Sequence, residues 1–131
     1  DILKAVIPVI YVKLNYPELV YICSLSVFLG HVFPIWLRFK GGKGVATYIG
    51  ILITLNYLLG IIFGIVWIIT YLISKYSSLS SILASLSIPI FLFFYSTDND
   101  IFYFIMFILI FYTHRENVKR LKNKEETKTK I

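Results

Sequence analysis

The chain has 131 residues, of which 58% are hydrophobic and only 15% charged, with 13 Lys and Arg against 7 Asp and Glu and a formal net charge of +6. A soluble domain carries roughly 25% charged and 45 to 50% apolar residues, so this chain lacks the polar surface to cover a globule of its own size. The composition argues against a disordered segment, the single cysteine, Cys23, against a disulfide scaffold, and the scarcity of charge against a nucleic-acid binder despite the basic balance.

In chain order, apolar segments run from Ile2 to Val12, Leu19 to Leu37, Val45 to Leu55, Tyr57 to Ser74, Ile82 to Tyr95 and Ile101 to Tyr112. A bilayer-crossing helix needs about 20 apolar residues, and several of these segments are shorter. Asn56 and Gly60 predict a helix, a tight turn and a second helix within 45–73. The expected fold is an all-α integral membrane protein, a polytopic bundle of about six short transmembrane helices, with four or five crossings as the alternative. The transmembrane domain is placed at residues 1–117, with a cytoplasmic loop at 38–47, and a polar tail at 118–131. The tail is expected as a helix end followed by a solvated segment. Asp1-Ile2-Leu3-Lys4 reads as the interior of a longer chain rather than the basic start of a signal peptide.

Lys and Arg are retained on the cytoplasmic side of a membrane. If six helices alternate, every Lys and Arg except Lys13 falls on one side, while Glu18, Asp98 and Asp100 fall on the other. That sorting puts both ends of this chain in the cytoplasm.

The densest chemical signal is Gly30-His31-Val32-Phe33-Pro34-Ile35-Trp36-Leu37-Arg38-Phe39-Lys40-Gly41-Gly42-Lys43-Gly44-Val45-Ala46-Thr47. Gly41, Gly42 and Gly44 let backbone N–H groups approach an anion, and a helix starting near Val45 turns its positive end toward the same place. Physically this is a phosphate cradle, with Lys40 and Lys43 as its cations. It is not a P-loop, because the spacing differs and no strand precedes it. The plainer alternative is a loop whose lysines only fix topology. His31 lies close to the end of its apolar helix, which Phe33-Pro34 should end or kink; an interfacial anchor and a functional group are equal readings of it.

The second signal is Thr113-His114-Arg115-Glu116-Asn117, directly after an apolar run. On a helix His114 and Asn117 share a face, while Arg115 and Glu116 point elsewhere. The alternative is a helix end whose basic residues snorkel to lipid phosphates. Both clusters fall on the same expected side, and neither contains a nucleophile beside a base, a carboxylate pair or a metal-ligand spacing. They suit binding and orienting phosphates.

At these residues the sequence resembles the bacterial membrane glycerol-3-phosphate acyltransferases of the PlsY family. The resemblance rests on G-H-V-F-P-I-W-L-R-F-K-G-G-K-G-V-A-T and T-H-R-E-N-V-K-R-L, and on a D-x-x-K-G element in which Ala5 stands where Gly is usual. It implies transfer of an acyl group from acyl phosphate to the 1-hydroxyl of glycerol 3-phosphate, giving lysophosphatidic acid, in the bacterial inner membrane and without metal or cofactor. By the same resemblance Lys40, Gly41, Gly42, Lys43, Gly44, His114 and Asn117 bind substrate, and His31, Thr47, Arg115 and Glu116 shape the site. No residue is implied as nucleophile or base. The family's earlier S-G-N-x-G-A-T-N-type segment has no match here and is expected just before Asp1, so this chain by itself is expected to be weakly active or inactive. Lys124 replaces the glycine usual after the second motif. The competing reading is a non-catalytic membrane binder, or a transporter fragment, for phosphate-bearing ligands. Transporters, however, place polar groups at the bilayer midplane, and here they concentrate at one face.

Overall fold

A computed structural model describes residues 2–34, 42–95 and 100–128. These form helices α1 (Ile2–Asn15), α2 (Val20–Val32), α3 (Val45–Leu55), α4 (Tyr57–Ser74), α5 (Ser77–Tyr95), α6 (Asp100–Thr113) and α7 (Arg115–Lys122), with a 3-10 turn at Pro17–Leu19 before α2. Segments this apolar become helical because a helix satisfies its own backbone N–H and C=O groups where no water can. The six apolar segments of the sequence correspond to α1 through α6, and α7 is a short polar addition.

Local chemistry sets the breaks. Asn56 is extended, with φ −161° and ψ 107°, and its Oδ1 accepts the Leu58 N–H at 3.0 Å, capping α4. The predicted turn therefore lies wholly at Asn56. Gly60 lies inside α4, where an added Cβ would stand 2.7 Å from the Ile53 side chain; its smallness lets the two helices fold closely. α2 ends at Val32, where Phe33-Pro34 predicted a break, and the Phe33 N–H makes the last bond, to the Leu29 carbonyl. Lys75, at φ 66°, turns the chain between α4 and α5, and Ser74 Oγ accepts the Tyr76 N–H there.

The chain divides into two compact units, residues 1–61 and 62–131. In the first, α1 packs on α2 and α3, with Ala5, Val9, Phe28, Ile51 and Leu52 fully buried. At Gly50 an added Cβ would come within 2.7 Å of the Ile2 carbonyl oxygen and 3.1 Å of the Ala5 Cβ, a close crossing of the kind small residues permit in membranes. Lys13, the exception in the charge sorting, donates from Nζ to the Thr54 carbonyl at 2.8 Å, satisfying the negative end of α3.

In the second unit α5 packs on α6 and α7. Tyr103, Met106 and Ile110 are buried on α6, as are Ala84 and Ile88 on α5. Buried Ser80, Ser81 and Ser85 donate their hydroxyl protons to the carbonyls of Tyr76, Ser77 and Ile82, three or four residues back, and Trp67 Nε1 donates to Ser81 Oγ at 3.0 Å. Large apolar side chains face outward, among them Ile65, Ile68 and Leu72 on α4 and Phe104 and Ile108 on α6. That is the surface a protein solvated by lipid presents. α4 and α5, at 18 and 19 residues, are each long and apolar enough to cross a membrane. α3, at 11 residues, rises only about 16 Å, half of a hydrocarbon core of about 30 Å.

Candidate functional site

In the first unit the described part of the glycine loop is Gly42-Lys43-Gly44. Gly42 lies against His31: a Cβ added there would stand 2.8 Å from the His31 Nε2, so a larger residue would require the imidazole to shift. Gly44 is the residue before α3, at φ 89°, where L side chains are disfavoured. A Cβ on it would also overlap the Phe28 ring. Gly44 has no side chain with which to cap the first N–H groups of α3, which are donors at the helix start, beside an exposed Lys43. Thr47, in the first turn of α3, is 1% exposed, and its Oγ1 has no hydrogen-bond partner among the described residues. The structure thus brings His31, Gly42, Gly44 and Thr47 around one helix start. Lys40 and Gly41 lie outside the described residues.

In the second unit His114 is the hinge between α6 and α7. Its φ of −100° and ψ of 14° break the helix, while its N–H reaches back to the Ile110 and Phe111 carbonyls and its own carbonyl accepts the Val118 N–H. The side chain is 3% exposed. Nδ1 lies 2.8 Å from the Ile110 carbonyl oxygen, and since a carbonyl can only accept, Nδ1 carries a proton. The tautomer is therefore set by the backbone, and Nε2 is the nitrogen turned toward other chemistry. Asn117, one turn on, is also buried. Arg115 and Glu116 are exposed; the Arg115 guanidinium donates to the Tyr112 carbonyl at 3.0 Å and lies over the Tyr112 ring, 4.3 Å from its centroid. That is the geometry of an interfacial anchor.

α7 ends in a reversal rather than in a fraying turn. The Lys124 N–H bonds the Leu121 carbonyl and the Glu125 N–H bonds the Arg120 carbonyl, with Lys124 at φ 60°. These two bonds around a left-handed residue are the Schellman arrangement, in which glycine is the usual occupant. The reversal carries Glu126 back onto the bundle. Its Oε2 accepts from Asn117 Nδ2 at 2.9 Å and from Ser78 Oγ of α5 at 2.9 Å, while its Oε1 accepts from Arg120 Nε at 3.1 Å. Burial acts to raise the Glu126 pKa, but hydrogen bonds from Asn117, Arg120 and Ser78 and the Arg120 charge outweigh it and lower it from 4.5 to about 2. At any working pH it is a carboxylate, an acceptor only.

Ser78 and Glu126 were not among the residues singled out in the sequence, and Arg120 lay within the second motif with no role assigned to it. The spacing of three between Asn117 and Arg120 was readable as a shared helix face. The approach of Ser78 and Glu126 depends on a chain reversal that has a lysine where glycine would have announced it.

A model of the family described as glycerol-3-phosphate acyltransferase matches residues 1–124. A glycerol-3-phosphate acyltransferase of Pelagibacter ubique (strain HTCC1062) is 69% identical over all of this chain, which spans 69% of that relative. One of Rhodopseudomonas palustris (strain TIE-1) is 48% identical over 108 residues, covering 82% of this chain and 53% of the relative. Crystal structures of PlsY, an integral membrane glycerol 3-phosphate acyltransferase, in its glycerol 3-phosphate and lysophosphatidic acid forms, superpose with a TM-score of 0.89 at 32% identity. Those matches cover 99% of this chain and 68% and 69% of the PlsY chains. The chain belongs to the glycerol-3-phosphate acyltransferase family, integral membrane acyltransferases of phospholipid synthesis.

Proposed function

We propose that the full-length protein carrying this chain transfers the acyl group of an acyl phosphate to the 1-hydroxyl of glycerol 3-phosphate, giving lysophosphatidic acid and inorganic phosphate. The observation that carries this reading is the family match over residues 1–124, which takes in both the glycine and lysine loop and the T-H-R-E-N motif. The glycerol 3-phosphate and lysophosphatidic acid forms of PlsY support the acceptor and product.

An acyl phosphate is a mixed anhydride with a good leaving group, so the protein's task is proximity and charge stabilisation. The acceptor hydroxyl oxygen attacks the acyl carbon, the bond from that carbon to the phosphate oxygen breaks, and phosphate leaves. A substrate phosphate oxygen takes the hydroxyl proton, which accounts for a reaction without a protein base. Lys43 and Lys40 hold phosphate, and Gly41, Gly42 and Gly44 allow backbone N–H groups close to it. His114 binds the phosphate of glycerol 3-phosphate, Asn117 its hydroxyl end, and His31 and Thr47 shape the loop. In this reading the protein lies in the bacterial inner membrane, as the family resemblance implies, and the distribution of Lys and Arg supports both ends of this chain being cytoplasmic, the face on which glycerol 3-phosphate is available.

The test uses the full-length gene product in membranes, supplied with labelled acyl phosphate and glycerol 3-phosphate. Lys43→Ala and Asn117→Ala are each expected to lower turnover by about a hundredfold or more while insertion is unchanged. Near-normal lysophosphatidic acid formation by either variant refutes its assignment. Movement of phosphate-bearing ligands across vesicles without product formation would favour a transporter instead.

A further inference from the structure

We infer that Glu126 is a positioning residue for the transfer reaction, fixing which pole of the Asn117 carboxamide meets the acceptor hydroxyl. The inference rests on Asn117 being a substrate ligand, as proposed above. A carboxamide has a donating and an accepting pole that can exchange by a half-turn about its terminal bond, and only the hydrogen-bond network decides between them. Beside Asn117 that network contains a carboxylate, 2.9 Å from Nδ2. A carboxylate accepts and never donates, so one N–H of Nδ2 is held by the tail, and that bond sets which way round the amide lies. Oδ1, with two lone pairs, is the pole turned away from it. An alcohol that is to act as nucleophile donates its O–H and keeps its attacking lone pair unencumbered, so an acceptor is the useful pole.

The carboxylate is itself anchored. Ser78 Oγ from α5 donates to the same oxygen as Asn117, and Arg120, one turn along α7, donates to the other. The Glu126 side chain is only 9% exposed, and the reversal at Lys124 delivers it from a segment of otherwise solvated residues. The low pKa of Glu126 keeps it from becoming a donor, which would allow the amide to turn over.

The experiment compares Glu126→Gln, Asn117→Ala and the double variant in the full-length protein reconstituted in lipid, with kcat and both KM values measured. A glutamine at 126 presents donors as well as an acceptor, so both amide orientations become available. The expected result for Glu126→Gln is a fall of about tenfold in kcat, a rise in the KM for glycerol 3-phosphate, and an unchanged KM for acyl phosphate and thermal midpoint. In the double variant Glu126→Gln is expected to add nothing to the residual activity of Asn117→Ala, because the group it orients is gone. Wild-type kinetics for Glu126→Gln, or a loss that multiplies in full with that of Asn117→Ala, overturns the inference. If Glu126→Gln fails to insert, Ser78→Ala is measured instead and is expected to show the same split between the two KM values at about two- to threefold; no split overturns the inference. Normal turnover by Asn117→Ala removes the reading of Asn117 as a ligand, and this inference with it. An impaired Asn117→Ala beside an unaffected Glu126→Gln removes the positioning role alone.

Discussion

His114 and Asn117 sit three residues apart, and that spacing showed in the sequence that they share a face. What the sequence could not give is the state of each group. The Ile110 carbonyl fixes the proton on His114 Nδ1, and a carboxylate nine residues downstream fixes the Asn117 amide. Lys124 carries a separate lesson. The resemblance marked it as standing where glycine is usual, and the structure supplies the reason, a φ of 60° in a helix-ending reversal. A side chain in that region costs about 1 to 2 kcal/mol, while glycine gives back part of this through a more flexible unfolded chain. Lys124→Gly is therefore expected to stabilise the protein by about 0.5 to 1 kcal/mol, read as a rise in thermal midpoint in a fixed detergent; a fall would show that the lysine side chain contributes more than its backbone costs.

Among the elements, the tail and α7 behave as one piece because of a single carboxylate. Glu126 is held near a pKa of 2 in the folded protein, below its ordinary 4.5. A depressed carboxylate contributes stability that is fully present above its unfolded pKa and is lost as the pH falls through the folded one. The attachment of residues 123–128 to α5 and α7 is thus expected to be constant from pH 6 upward and to be released between about 4.5 and about 2. Hydrogen exchange at the Glu125 amide, bonded to the Arg120 carbonyl, measures this directly. Protection unchanged below pH 3 would mean that the tail is held by something other than the charge on Glu126. Elsewhere the element boundaries were legible where a residue type forces them, as at Pro34 and Asn56. Gly60 was misread as part of a turn because glycine serves turns and close helix contacts equally well, and only the position of Ile53 tells them apart.

For the whole molecule, the outward rows of Ile, Leu and Phe on α4 and α6 are the three-dimensional form of the 15% charge and 58% hydrophobicity of the chain. Under the proposed orientation the remaining Lys and Arg fall on one side except Lys13, whose ammonium has a structural use at the end of α3. The proposed orientation is tested by a single cysteine introduced at Thr127 in a Cys23→Ser background. A membrane-impermeant maleimide is expected to label it only when the cytoplasmic face is open, whereas labelling of intact cells would invert the topology.

Composition, the six apolar segments, the glycine and lysine loop and the T-H-R-E-N motif were sufficient in the sequence to determine a helical membrane protein of this family. These are local signals, since hydropathy, glycine at positive φ and a spacing of three on a helix depend on near neighbours in the chain. Tertiary structure decided what depends on distant neighbours: that Gly42 runs over His31, that Gly50 admits the backbone of α1, and that Ser78, 48 residues away, and Glu126 meet beside Asn117. Such contacts are set by packing and chain reversal.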